Sequence, residues 1–172
     1  MSAEENKALV ARLFDAFFNR GDLEEVDRAV APDFLLHSPT LPEPGRGPQA
    51  VRDFVTGFRT GFPDVHLQVE DLIAEGDRVV ARWRTTRQTH TGPYQGIPPT
   101  GAKVEMTGID IFRVEGGQLK EVWLEIDALR GVQQMGVVPP QGIGPLGLIA
   151  WAFKTVGRFA FLQARYARAK AA

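Results

Sequence analysis

The N-terminal segment alternates apolar and polar positions with the period of an α-helix. Residues 2–20 place their large apolar side chains on one stripe, formed by Leu9, Leu13, Phe14 and Phe17. Ser2 and Glu5 form a capping box, in which each side chain satisfies a free backbone donor of the first turn. Gly21 follows, and glycine commonly ends a helix because it adopts a left-handed backbone easily. The pattern predicts an amphipathic helix over 2–20.

Two further helices are predicted before the spacing of apolar residues changes from helical to strand-like. Asp22 and Glu25 repeat the capping-box spacing and predict a short helix through Val30, with Pro32 just past its end. Pro48 suits the first turn of a third helix, because that position needs no backbone N–H. The apolar face of the third helix is formed by Val51, Phe54, Val55 and Phe58.

From Val65 onward the apolar positions recur every second residue, which is typical of strands. Turn residues at Glu75-Gly76-Asp77 and at Gly116-Gly117 divide this region into hairpins, and a loop rich in Gly and Pro covers 89–102. The predicted strands are 34–37, 65–74, 78–88, 103–114 and 118–127. Such hairpins predict a mostly antiparallel sheet.

This order of elements predicts an α+β fold in which a curved, mostly antiparallel sheet packs on the N-terminal helices. A concavity between the helices and the twisted sheet is the expected pocket for a small apolar organic molecule. The candidate binding residues are Phe14, Phe17, Phe34, Phe54, Phe58, Trp83, His90, Tyr94, Ile109, Phe112, Trp123 and Leu124. Several of the phenylalanines also suit the hydrophobic core, and His90 also suits a role in shaping its loop.

The C-terminal part of the chain differs in composition. Pro and Gly residues over 139–145 predict a linker between a pocket domain over 1–138 and a basic amphipathic helix over 146–172. The helix contains no acidic residue and has the cations Lys154, Arg158, Arg165, Arg168 and Lys170. It could lie on a membrane surface, or pack on its own domain or a dimer partner, or cover the pocket. The aromatic positions do not form one stripe, which favours packing.

Composition and charge mainly exclude functions. The chain has 172 residues, 44% hydrophobic and 24% charged, so a single globular domain with a substantial core is expected. The net charge of −1 gives no attraction to nucleic acid, and the absence of cysteine excludes thiolate metal sites. Three scattered histidines form no metal motif. The acidic start and the lack of a long apolar run predict a cytoplasmic protein.

Five short motifs follow one another between residues 4 and 136. They are Phe62-Pro63-Asp64, Thr89-His90-Thr91-Gly92, Gly96-Ile97-Pro98-Pro99-Thr100-Gly101, Gly108-Ile109-Asp110-Ile111-Phe112-Arg113 and Gln133-Gln134-Met135-Gly136. Together they resemble the SnoaL-like polyketide cyclases of the nuclear transport factor 2-like superfamily. The resemblance implies a cone-shaped α+β fold and a pocket with neither cofactor nor metal. We also expect a homodimer formed through the sheet.

In the cyclases of that family, an aspartate acts as acid and base in an intramolecular aldol ring closure. The family pattern on the last strand reads Glu-His-Trp-Asp. The same stretch here reads Glu121-Val122-Trp123-Leu124, so Val122 and Leu124 replace the family's His and Asp. The resemblance therefore implies that the usual catalytic acid is missing from its position.

The alternation of side chains between the two faces of the last hairpin leaves two interpretations of the pocket open. A turn centred on Gly116-Gly117 places residue 110 opposite 123 and residue 109 opposite 124. One face then carries Ile109, Ile111, Val122, Leu124 and Ile126, and the other carries Asp110, Phe112, Trp123, Glu125 and Asp127. If the first, slightly favoured set lines the pocket, the floor has no base. If the second set lines it, burial would raise the pKa of a carboxyl group and make it a usable base.

Two functions therefore stay open at this point. The first is a cofactor-free cyclase, isomerase or hydrolase, with Asp110, Asp127 and His37 as candidate catalytic residues. The second is a binding protein of the same fold that holds a small hydrophobic ligand without converting it. A carboxylate facing a closed cavity would favour the enzyme, whereas solvent-exposed carboxylates would favour the binding protein.

Overall fold

The computed structural model describes residues 2–171, with side chains described over 2–169. The secondary structure consists of five α-helices, one π-helical segment and six strands in this part of the chain. In chain order they are α1 (Ala3–Phe14), the π-helical segment (Asp15–Arg20), α2 (Val26–Ala29), β1 (Val30–His37), β2 (Gly45–Arg46), α3 (Gly47–Gly61), β3 (His66–Glu75), β4 (Arg78–Arg87), β5 (Thr107–Glu115), β6 (Gln118–Ile126), α4 (Ala128–Gln134) and α5 (Pro145–Ala171).

The six strands form one sheet in the order β2-β1-β6-β5-β4-β3. All neighbouring strands are antiparallel except β1 and β6, which run parallel. Helices α1 and α3 pack against the sheet, and the hydrophobic core fills the space between them. The predicted α+β architecture, with N-terminal helices on a mostly antiparallel sheet and an extra C-terminal helix, is confirmed.

The first helix follows the predicted capping chemistry and then widens. The Ser2 hydroxyl accepts the backbone N–H of Glu5, and the Glu5 carboxylate accepts the backbone N–H of Ser2. From Asp15 the helix continues as a π-helix, which adds a residue to the turn. Gly21 ends it with a left-handed backbone at φ +69°. One continuous helical segment therefore runs to the predicted end, but with altered side-chain directions in its last turn.

The second capping box does not form, so that prediction is wrong. The Asp22 side chain accepts the backbone N–H of Glu24, and α2 begins later without a side-chain cap. The strand β1 then starts at Val30 and includes Pro32. The ladder between β1 and β6 is interrupted between Val30 and Leu35, so Pro32 occupies a position where the sheet lacks a pairing partner.

The hairpin of β5 and β6 contains a β-bulge at Lys120. Close to the turn Val114 pairs with Leu119, whereas the next pair is Arg113 with Glu121. Lys120 is thus the extra residue on β6, and the pairing beyond it is shifted by one position. This shift decides which side chains of β6 meet those of β5.

The C-terminal helix α5 follows a Pro- and Gly-rich segment and lies beside the loop over 89–102. Thr100 and Gly101 of the loop and Leu162 and Tyr166 of the helix line a shallow groove between them. The half-buried residues of α5 are Trp151, Thr155, Phe159 and Leu162, which form one stripe at helical spacing. This stripe is the packed side of the helix.

Candidate ligand pocket

An apolar cavity of about 60 Å³ lies between the inner face of the sheet and the helices. Its walls come from α1, the π-helical segment, α3 and five of the six strands. The lining residues are Val10, Leu13, Phe14, Phe17, Phe18, Phe34, Leu36, Val51, Phe54, Val55, Phe58, Leu67, Trp83, Asp110, Phe112, Leu119, Val122, Leu124 and Ile126. All of them are apolar except Asp110, and Trp83 adds one indole N–H. The cavity is therefore an apolar site with a single carboxyl group.

Aromatic rings from the helices form one wall of the cavity. Phe18 packs edge-on against Phe54 at 6.5 Å and against Phe58 at 5.7 Å, measured between ring centroids. Phe14 packs edge-on against Phe112 of the sheet at 5.5 Å. Among these rings, those of Phe18 and Phe54 are only half buried. They are consequently the rings of this wall that have solvent on one side.

The π-helical segment is held in place by two side chains that satisfy backbone groups. Asn19 is bound to both backbone groups of Leu67, accepting its N–H at 2.7 Å and donating to its carbonyl at 3.0 Å. The Arg59 guanidinium of α3 donates to the carbonyl oxygen of Phe18. Buried or half-buried backbone groups need such partners, and these contacts fix the direction of the rings of Phe17 and Phe18.

Asp110 is the buried carboxyl group of the cavity. Its side chain is 2% exposed, and its Oδ2 accepts the indole N–H of Trp83 at 2.8 Å. Its other oxygen, Oδ1, has no hydrogen-bond partner among the residues that the structure describes. Burial, with a smaller contribution from the Glu125 charge, raises the pKa of Asp110 to about 7, although the hydrogen bond from Trp83 favours the charged form. Near neutral pH, the group is therefore divided between its acid and its base forms.

Gly108 makes the hydrogen bond between Trp83 and Asp110 possible. Gly108 pairs with Trp83 across strands β4 and β5. A Cβ atom at Gly108 would lie 2.4 Å from the Trp83 ring and 2.8 Å from the carbonyl oxygen of Glu125. The missing side chain leaves room for the indole, which then reaches Asp110 two residues further along β5.

Asp110 lies directly across the hairpin from Leu124, so the predicted register is wrong. The observed pairs are Asp110 with Leu124 and Ile109 with Glu125, because the bulge shifts the strands by one residue. Side chains still alternate between the two faces within each strand. Each observed face, however, combines the β5 residues of one predicted set with the β6 residues of the other. The inner face carries Asp110 beside Leu124, and the outer face carries Ile109, Glu125 and Trp123. Neither of the two predicted faces lines the cavity as a whole.

Many of the predicted site residues meet at the cavity. These are Asp110 and, among the predicted binding residues, Phe14, Phe17, Phe34, Phe54, Phe58, Trp83, Phe112 and Leu124. Phe18 was not among the predicted binding residues, although it lines the cavity from the π-helical segment beside Phe17. Leu36 and Val122, which pair between β1 and β6, also line the cavity without having been predicted as binding residues. Their spacing of two residues from Phe34 and from Leu124, on the same strands, was the available signal.

Three other predicted residues lie on the outer face of the sheet. The rings of His37 and Trp123 stack at 5.3 Å with an angle of 4° between their planes. His37 Nε2 lies 2.9 Å from Glu121 Oε1, and Arg78 lies over the Trp123 ring at 4.9 Å. Ile109, also on this face, is 50% exposed. The sheet separates these side chains from the cavity.

The remaining predicted residues have local structural partners. Asp127 caps helix α4 by accepting the backbone N–H of Arg130 at 3.0 Å. His90 is fully buried, its Nδ1 lies 3.0 Å from the Thr100 hydroxyl, and burial lowers its pKa. Tyr94 packs edge-on against Phe58 at 5.8 Å, and burial raises its pKa to about 12. None of the three lines the cavity.

The described residues contain no group of three or more His, Asp or Glu side chains arranged to hold a metal ion. Over the same part of the chain, no helix is both long and apolar enough to cross a membrane.

The mostly antiparallel sheet and the helices that enclose an apolar cavity with it form a nuclear transport factor 2-like fold. The family model of the SnoaL-like polyketide cyclases matches residues 8–135. The chain belongs to this family, and its match ends before helix α5 begins.

Individual relatives agree with this assignment. Nogalonic acid methyl ester cyclase of Streptomyces nogalater is 27% identical over 106 residues, which cover 60% of this chain and 78% of that protein. TsrD from Streptomyces laurentii matches in structure with a TM-score of 0.71 and 28% identity, over 80% of this chain and 99% of its own. IdmH from Streptomyces antibioticus, for which polyketide cyclase activity has been suggested, matches with a TM-score of 0.65 and 32% identity, over 77% and 99%.

Proposed function

We propose that the protein is a cofactor-free cyclase that closes a ring in a polyketide-like ester, with Asp110 as acid and base. The observation that carries this proposal is the Asp110 carboxyl group, which is buried in an otherwise apolar cavity and whose Oδ1 has no hydrogen-bond partner in the described part of the chain. The family match and the similarity to a nogalonic acid methyl ester cyclase support the same reaction class.

The proposed reaction needs one group that removes a proton and returns it. The Asp110 carboxylate takes a proton from a substrate carbon next to a carbonyl group. The carbanion attacks a second carbonyl carbon of the same molecule, so that a C–C bond forms as the C=O π bond breaks. Protonated Asp110 then gives its proton to the alkoxide, and the product is an isomer of the substrate. A pKa of about 7 suits both transfers at neutral pH.

The environment of Asp110 favours a neutral, largely apolar substrate. A charged substrate group would lose its hydration in this cavity without a partner other than Asp110 itself. The present volume of about 60 Å³ is smaller than the roughly 300–1,000 Å³ of typical ligand pockets. We therefore propose that substrate enters as the half-buried rings of Phe18 and Phe54 turn outward.

Turnover of nogalonic acid methyl ester by the purified protein tests this proposal. Ring closure leaves the mass unchanged, so chromatography with mass detection should show a new peak of equal mass. Asp110→Asn should lower kcat at least about 100-fold, because it removes general acid and base catalysis. Asp71→Asn is the matched control, since this exposed carboxylate of β3 does not line the cavity and its removal should leave kcat nearly unchanged.

Ligand binding, followed by quenching of tryptophan fluorescence, distinguishes the enzyme from a binding protein. An enzyme converts the ester and loses turnover, but not binding, in Asp110→Asn. If the wild-type protein binds the ester and related apolar esters without converting any of them, the non-catalytic function replaces this proposal. Equal rates for the wild type and Asp110→Asn would exclude Asp110 as the base.

We further propose that the outer face of the sheet binds a second copy of the chain. This face exposes Ile109 and Ile111 beside the half-buried, stacked Trp123, an apolar set that a two-fold contact would cover. Light scattering of the purified protein should give twice the chain mass, and Ile109→Lys should reduce it to one chain. A wild-type monomer, or a dimer unchanged by Ile109→Lys, would contradict this contact.

A further inference from the structure

Helix α5 has an apolar face that no described part of the chain covers. Of its exposed large apolar side chains, Leu148 and Tyr166 lie toward the packed side and are 46% and 37% exposed. The other five are Leu146, Ile149, Phe153, Val156 and Phe161, and Leu146 and Phe153 are 83% and 78% exposed. At about 100° per residue, these side chains occupy an arc of roughly 140° around the helix axis. We call them the exposed apolar face of α5. The packed side, centred on Thr155, lies approximately opposite.

Three cations of α5 follow one edge of this exposed apolar face, between it and the groove that Arg165 lines with the loop over 89–102, and Arg168 lies within the arc of the face. Lys154, Arg158 and Arg165 lie close to a single line along the helix, beside Phe161. None of the three forms an ion pair with a residue whose side chain the structure describes. From residue 128 to the end of the sequence there is no acidic residue. The charge of this region is therefore purely positive, whereas that of the whole chain is −1.

We propose that this face docks on an anionic phospholipid bilayer, with the apolar side chains among the lipid headgroups and the cations on phosphate groups. Phe and Ile side chains on one face with Lys and Arg at its edge are the features of helices that lie in the membrane interface. The helix lies on the surface rather than across it, because no described helix could span a membrane. Its 27 residues would run for about 40 Å along the surface.

Charge favours a bilayer over a second copy of the helix. A two-fold pairing of α5 would bring Lys154, Arg158 and Arg165 of both copies to one interface without a single acidic partner on either helix. An anionic surface instead attracts each of these cations. The helix also lies outside the family match and does not line the cavity over its described side chains, so docking leaves the pocket intact.

Vesicle flotation of the full chain tests this proposal. We expect the protein to float with vesicles that contain equal amounts of phosphatidylcholine and phosphatidylglycerol, and not with phosphatidylcholine alone. Phe153→Ser/Val156→Ser should lower the partition coefficient at least about tenfold, because it removes apolar contacts. Lys154→Gln/Arg165→Gln should lower it about 25-fold in low salt and much less in high salt.

Ile73→Ser on β3 is the matched control, because Ile73 is 63% exposed and lies outside α5. It should float as the wild type does, and thermal unfolding should show that all variants fold. The proposal is overturned if the wild type stays unbound with the anionic vesicles, or if Phe153→Ser/Val156→Ser floats as well as the wild type. A helix-dependent dimer without flotation, detected by light scattering of the same variants, would assign the face to a second copy instead.

Discussion

Asn in place of Asp110 should stabilise the protein at high pH and have little effect at low pH. Burial raises the pKa of Asp110 from 3.8 to about 7 in the folded protein. When folding raises the pKa of a carboxyl group, the contribution of that group to stability is fully present below its pKa in the unfolded state. This contribution is lost as the pH rises through its pKa in the folded state. The full difference corresponds to about 4 kcal/mol, or about 1.4 kcal/mol for each pH unit between the two values. Asn keeps an oxygen for the Trp83 indole and has no charge to bury.

Urea unfolding, followed by circular dichroism, measures this difference directly. The free energies of unfolding of the wild type and Asp110→Asn should agree within about 1 kcal/mol at about pH 4 and diverge toward about pH 8.5. The variant should be more stable at the upper end by up to about 4 kcal/mol. Taking the difference between the two proteins at each pH removes the contributions of the other titrating groups, which both proteins share.

A constant difference between the two proteins over this pH range would refute the reasoning. It would mean that Asp110 titrates alike in the folded and unfolded states, and hence that water or a counter-charge reaches it in solution. Asp71→Asn again serves as the control, since this exposed carboxylate should give a small difference at every pH. A stability gain together with loss of turnover in Asp110→Asn would show that the buried carboxyl group destabilises the fold but is retained for its chemistry.

Three further substitutions test the structure around the site. Asp64→Asn should destabilise the fold by about 1–2 kcal/mol at neutral pH, because hydrogen bonds to the Asp64 carboxylate outweigh burial and lower its pKa. Urea unfolding should show that this difference fades as the pH falls below 3.8. Gly108→Ala should displace Trp83 and cost about 1–3 kcal/mol, with a shift in tryptophan emission; an unchanged spectrum and stability would contradict the close contact. Leu124→Asp should place a second carboxyl group across from Asp110 and raise its pKa further, so a carboxyl titration by NMR that stays unchanged would refute the observed register.

The sequence pattern was sufficient for the elements and the fold because periodicity and capping act locally. The apolar stripe of 2–20 and the Ser2 cap predict the first helix, which the structure confirms, and the turn at Gly116-Gly117 predicts the last hairpin. The π-helical segment was not predictable, because nothing in the local pattern distinguishes an extra residue in a turn from an ordinary helix end. Asn19 fixes that segment from a distance, by binding the backbone of Leu67.

The register of the last hairpin shows where local reasoning stopped. Counting from the turn is correct up to Val114 and Leu119 and fails at Lys120, where the strand contains one residue more than its partner. The Lys120 side chain reaches Asp33 on the neighbouring strand, 2.8 Å away, a contact that depends on the packing of three strands. A bulge of this kind is decided by tertiary contacts, so the sequence predicted the alternation within each strand but not which faces combine.

The shifted register changes what the missing family aspartate implies. The resemblance assigns Leu124 to the position of that aspartate, which by itself suggests a pocket without an acid. Asp110 is the direct cross-strand partner of Leu124 and points into the same cavity, and directly paired side chains in a sheet lie about 5 Å apart at Cβ. The cavity therefore has a carboxyl group within one strand spacing of the position assigned to the family's aspartate, and the Trp83 indole orients this group. If the site is catalytic, the double substitution Asp110→Leu/Leu124→Asp should retain more turnover than Asp110→Leu alone, because it returns one carboxyl group to the same space from the opposite strand.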